Sequence, residues 1–140
     1  MADPRAQVED ALLARMLEEA LGLAERARGW ILQRTGGESL EAALVHSLLL
    51  SRLTSRITAA VAWLLARRAV REGELSWEEA QREPAWRLLA LDGPSFRFED
   101  TVDSEGICDP ELAALDRAAL ELYARVERLD RQLDSAVGAR

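Results

Sequence analysis

Thirty consecutive residues, Ala42 to Arg71, hold five arginines and no acid, in a chain whose formal net charge is −7. Within that run His46, Leu50, Leu53, Ile57, Ala60 and Leu64 recur at helical spacing and form one apolar stripe. Ser51, Ser55, Ala59, Ala62, Ala66 and Ala69 make a second face of small residues, against which another helix can come close. A third strip carries Arg52, Arg56, Trp63 and Arg67. A helix differentiated on three sides belongs at the centre of a bundle or in a dimer interface. The spacing predicts it over 40–72, with Ser39 before it and Gly73 stopping it, a rod of roughly 50 Å at 1.5 Å per residue.

The flanking segments read as partners for that rod. Val8, Leu12, Met16, Ala20, Leu23, Ala27 and Trp30 predict a helix over 4–34, capped by Asp3-Pro4 and ended by Thr35-Gly36-Gly37. Ser76-Trp77-Glu78-Glu79 is a capping-box pattern that opens a short element over 77–90, broken at Pro84. Asp109-Pro110 begins a last helix over 110–134, in which Leu112, Leu115, Ala119, Leu122, Val126, Leu129 and Leu133 alternate three and four apart. Glu121–Arg125 and Glu127–Arg131 are spaced to pair along it. No segment alternates like a strand. One all-α domain is expected: a three-helix bundle over 1–140, a short extra helix, and a long acidic loop over 91–108.

Charge and composition narrow the partners. Between Asp92 and Asp116 there are eight acids and one arginine, so the whole net charge sits in the loop and the helix start after it. With a pI near 4.8 the protein repels phosphate backbones, and nucleic acid is not expected as a ligand. No uninterrupted apolar run approaches the ~20 residues of a bilayer span, so no membrane partner is expected. The charged start, MADPRAQVED, lacks the apolar stretch of a secretory signal. Cys108 is the one cysteine and leaves no internal disulfide. A cytoplasmic location follows as the expectation.

Reactive chemistry is sparse. His46, the one histidine, lies on the apolar stripe and reads as a core or interface residue with its nitrogens satisfied. Ser47 is about 100° away around the helix, too far to form a nucleophile–base pair with it. There is no glycine-rich phosphate loop. Aligning Gly106 with the invariant glycine of a calcium loop puts Thr101 and Leu112 where ligands are needed, so the acidic loop fails as a calcium site. No catalytic, metal or cofactor residues are assigned. The arginines remain. They are expected either to pair with acids from neighbouring helices and the loop, or to recognise a partner's carboxylates with Trp63 as an aromatic anchor. Asp100, Asp103 and Glu105 are the loop acids expected to cover the strip until a partner displaces them.

The run from Ser51 to Glu83, SRLTSRITAAVAWLLARRAVREGELSWEEAQRE, resembles the RcdA family of alphaproteobacteria, named for a regulator of degradation of the response regulator CtrA. RLTSR, then AWLLARRAV, then EGELS with an acidic helix start carry the resemblance. EEALGLAERARGWI and LELYARVERLD are similar to the family's first and last helices. The resemblance implies a dimeric three-helix bundle with no enzymatic activity and no cofactor. It further implies an adaptor that tethers cargo to the ClpXP protease, with ClpX, a response-regulator primer and protein cargo as partners. The partner-contact positions it suggests, together with the arginine strip, are Arg52, Arg56, Trp63, Arg67, Arg68, Arg71 and Glu74. Two other readings stay open: an interaction module with no protease link, and a DNA-associated regulator that lays the arginine helix on phosphates.

Overall fold

The computed structural model describes residues 3–34, 36–86, 88 and 108–138. Its described residues form helices and turns only: α1 (Pro4–Leu32), α2 (Leu40–Arg71), α3 (Trp77–Arg82), a 3-10 turn (Pro84–Trp86) and α4 (Pro110–Gly138). Of the expected loop over 91–108, residues 91–107, with Asp100, Asp103 and Glu105, lie outside the described residues.

Each helix begins and ends where side-chain chemistry dictates. The Asp3 carboxylate accepts the Arg5 N–H (3.1 Å) with Pro4 as first helical residue, and Ser39 accepts the Ala42 N–H (3.1 Å) at the start of α2. Gly73, at φ 78°, lets the chain leave α2 in the left-handed region. There the Glu74 N–H reaches the Ala69 carbonyl (2.9 Å) and the Gly73 N–H the Val70 carbonyl (3.2 Å), a Schellman closure of the last turn. The Ser76–Glu79 capping box forms as expected. Glu83 is extended because it precedes Pro84, so α3 stops at Arg82 with the expected break at Pro84, and the described part of the element over 77–90 is one short helix and a 3-10 turn. α4 outlasts its expected end at 134 and runs to Gly138.

α2 is the central rod and touches α1, α4, α3 and the 3-10 turn. Pairs between helices give the directions. Trp30 meets His46 while Glu9 meets Arg67, so α1 runs antiparallel to α2. Arg52 meets Asp116 and Trp63 meets Asp130, so α4 runs parallel to α2. The ends of the bundle are therefore unlike. One gathers the C-terminus of α1 with the N-termini of α2 and α4.

The core is a seam of Leu13, Met16, Ala20 and Leu23 from α1, Leu49, Leu53, Ile57 and Leu64 from α2, and Leu112, Leu115, Leu122 and Val126 from α4. Each fully buried leucine stabilises the fold by about 1.5–3 kcal/mol. Two details depart from the apolar pattern. Val8 is 70% exposed and Leu12 gives way to Leu13, because the first turns face α2 with Glu9, which reaches Arg67, while the more exposed Asp10 beside it meets Arg71. Ser51 and Ser55, on the face expected to be covered by a helix, are exposed, since α1 and α4 both pack on the leucine and arginine sides. Arg125 pairs with Glu19 of α1 rather than with Glu121, while Glu127–Arg131 forms along α4 as expected.

By length and composition α2 would suffice to cross a bilayer, with a mean hydropathy of 1.3 over 18 residues, against the expectation that no segment qualifies. The arginines that interrupt its apolar runs hid this from a search for an unbroken stretch. In the bundle Leu49, Leu53, Ile57 and Leu64 line the seam while Leu40, Leu44, Leu48 and Leu65 stay exposed, and Arg52 and Arg56 turn inward to Asp116.

Candidate functional site

The arginine strip welds the bundle. Arg52 clamps Asp116 with two parallel bonds, Nε to Oδ1 at 3.1 Å and Nη2 to Oδ2 at 2.5 Å. Arg56 adds a third from Nη1 to Oδ1 at 3.3 Å. The arginine side chains are 10% and 0% exposed and the aspartate 9%, so the group lies inside the packed α2–α4 interface. An arginine suits this place because its planar fork meets a carboxylate bidentately and keeps its charge when buried. About two helical turns beyond Arg56, the Trp63 indole N–H donates to Asp130 (2.9 Å). Arg67 then donates to Glu9 (3.2 and 3.0 Å) while its guanidinium lies 4.6 Å from the Trp77 ring, and Arg71 holds Asp10 (2.9 Å).

Of the residues expected to meet a partner, Arg52, Arg56 and Trp63 are thus turned into the fold. Arg67 and Arg71 join α2 to α1, with 11% and 25% of their side chains exposed. Arg68 stays outside, 60% exposed and paired along its own helix with Glu72, and Glu74 is exposed after the Schellman turn. The acids that receive these arginines, Glu9, Asp10 and Asp116, and Asp130, which receives the Trp63 indole, carry no local signature in the sequence.

Beside the strip lies a cavity of about 350 Å³, walled by Trp63, Trp77, Trp86, Ala66 and Leu88, with Arg67, Gln81 and Asp130 at its polar side. It exists because the capping box at Ser76 and the turn at Pro84 carry Trp77 and Trp86 back onto α2 and α4. Three of the four tryptophans converge there. Arginine and tryptophan are the residue types that dominate protein–protein contacts, and here they share one wall.

At the opposite end His46 is satisfied on both nitrogens, as its place on the apolar stripe implied. Nδ1 donates to Glu38 (2.7 Å), Nε2 accepts the Asp109 N–H (3.1 Å), and the ring stands edge-on to Trp30 at 5.3 Å. Burial, then the charge of Arg34, lowers its pKa against the pull of Asp109. Burial likewise pushes the Cys108 thiol up, with Asp109 and Asp116 adding to it, so the thiol stays protonated and donates to the Asp109 carbonyl (3.4 Å). A protonated, hydrogen-bonded thiol is a poor nucleophile. Among the described residues no group of three His, Cys, Asp or Glu side chains gathers to hold a metal.

Fold and site together define a class: a three-helix bundle with a parallel α2–α4 pair, an arginine-welded centre and a tryptophan-lined flank. The chain belongs to the RcdA-type family, described as a protein family of unknown function (DUF1465), whose profile matches residues 5–139. It is similar to the crystal structure of RcdA from Caulobacter crescentus CB15, at 30% identity and a TM-score of 0.63, over 86% of this chain and 89% of that one. No curated protein matches.

Proposed function

We propose that this protein is a non-enzymatic adaptor of regulated proteolysis, a homodimer that brings protein cargo to a ClpX-containing protease. The observation that carries the reading is the likeness to RcdA across nearly the whole of both chains, at an identity that fixes the family as well as the fold. The mechanism is tethering: one surface holds the protease or its response-regulator primer, another holds cargo, and the effective concentration rises without bond chemistry.

The tryptophan-lined cavity and the Arg68–Glu74 shoulder beside it are the surface best suited to one of these contacts. The cavity offers recessed aromatic wall for an anchoring side chain, and the shoulder offers exposed charge of both signs for orientation. A helix that lays its arginines on DNA has less to recommend it, because Arg52, Arg56, Arg67 and Arg71 are already engaged with acids of α1 and α4. The test is affinity capture from the native lysate with wild-type bait, beside Trp86→Ala and Arg68→Glu baits checked for folding by circular dichroism. ClpX or a response regulator retained by wild type and lost by the folded variants supports the reading. Equal retention would move the contact elsewhere, and no protease component on any bait would leave a plain interaction module.

A further inference from the structure

The end of the bundle where α1 finishes and α2 and α4 begin is held by one imidazole. His46 is in the second turn of α2, donates through Nδ1 to Glu38 of the α1–α2 connection, and accepts the Asp109 backbone N–H at Nε2. Asp109 in turn caps α4, its carboxylate accepting the N–H groups of Glu111 (2.9 Å) and Leu112 (3.2 Å). Trp30 of α1 packs edge-on against the histidine, and Arg34 lies 4.5 Å over the Trp30 ring while pairing with Glu38. Three long helices are tied through a ring that accepts at one nitrogen and donates at the other.

We propose that His46 is a proton-sensitive pin: only its neutral form can hold the start of α4, and protonation at mildly acidic pH releases it. An imidazolium has no acceptor nitrogen, so Nε2–H and the Asp109 N–H then point at each other and one must lose its partner. The charged groups facing the ring are Arg34 from the end of α1, Glu38 from the connection, and Asp109 and Glu111 from the start of α4. Glu38 and Asp109 favour a charged ring. Against them stand burial, the Arg34 charge and the positive N-terminal ends of the parallel α2 and α4. Burial and Arg34 prevail, and the pKa falls below the ordinary ~6.5. A group depressed on folding contributes stability that is full above its unfolded value and is lost as pH falls through the folded one, so the pin loosens on the acid side of about 6.5.

The chain contains no other histidine, which makes the test clean. The His46 ring signals are titrated by NMR from pH 7.5 to 4.5, with amide exchange at Asp109, Glu111 and Leu112 corrected for intrinsic pH dependence. The expected result is a midpoint below the ordinary value, with protection at these amides falling roughly ten- to hundredfold through the same midpoint, the cost of one buried donor left unpaired. His46→Gln, which keeps an uncharged acceptor toward Asp109, is expected to remove that pH response while the rest of α4 stays protected. Protection that does not follow the ring titration in wild type overturns the pin, as does an unchanged acid response in a folded His46→Gln.

Discussion

Asp116→Ala is the substitution to which this fold is most exposed. The side chain lies 9% exposed between two guanidiniums, and it accepts three hydrogen bonds from them. A charged hydrogen bond is worth about 1.5–3 kcal/mol, so three taken singly would sum to about 4.5–9 kcal/mol, a large share of the ~5–15 kcal/mol by which a domain is stable. They share one carboxylate and do not add. The better guide is the measured cost of removing one partner from a buried ion pair, about 3–5 kcal/mol, because the remaining charge stays in a poor solvent. Arg56 cannot escape, since its side chain is wholly buried, whereas Arg52 is near enough to the surface to turn outward. Asp116→Ala is therefore expected to cost about 3–5 kcal/mol and Arg52→Ala about half of that. The double variant should lose less than the two singles summed, by about 1.5 kcal/mol or more. Urea unfolding followed by tryptophan fluorescence, with slopes compared, measures all three. A loss under about 1 kcal/mol for Asp116→Ala would refute the view that this triad holds α4 to α2.

Three further outcomes follow from single contacts. Trp63→Phe keeps an aromatic ring but removes the indole donor to Asp130 and part of the buried volume, and should cost at least about 1.5–3 kcal/mol in the same assay. Gly73→Ala forces a side chain into φ 78° and should lower stability by about 1–2 kcal/mol, although nothing crowds its Cβ. Leu122→Ala, fully buried on α4, should cost about 2–5 kcal/mol by cavity formation, read as a fall in the denaturation midpoint.

Helices, caps and stops were legible because each is written in neighbouring residues: Ser76 with Glu79, Asp109 with Pro110, Gly73 after Arg71. The satisfied state of His46 was legible too, from its place on an apolar stripe. Which acid meets which arginine was not. Glu9, Asp116 and Asp130 lie 58 to 67 residues from their partners, and helical periodicity fixes a face without fixing how far one helix slides past another. One signal does stand in the sequence: Asp116 is four residues after Leu112, on the apolar stripe of α4, where a lone acid demands a buried cation. The cavity was hidden for a different reason. Trp77 and Trp86 come from a short helix and a turn, whose docking depends on the kink at Pro84 rather than on any repeat.

The adaptor reading concerns protein lifetimes, so the most direct measurement is the proteome-wide half-life in cells lacking this protein, after translation is blocked. A small set of ClpX-dependent substrates, response regulators among them, is expected to become longer-lived. Wild type should restore their turnover, while a folded Trp86→Ala variant should not. Unchanged half-lives across the known substrates of the protease, in cells where the protein is normally abundant, would contradict the adaptor reading.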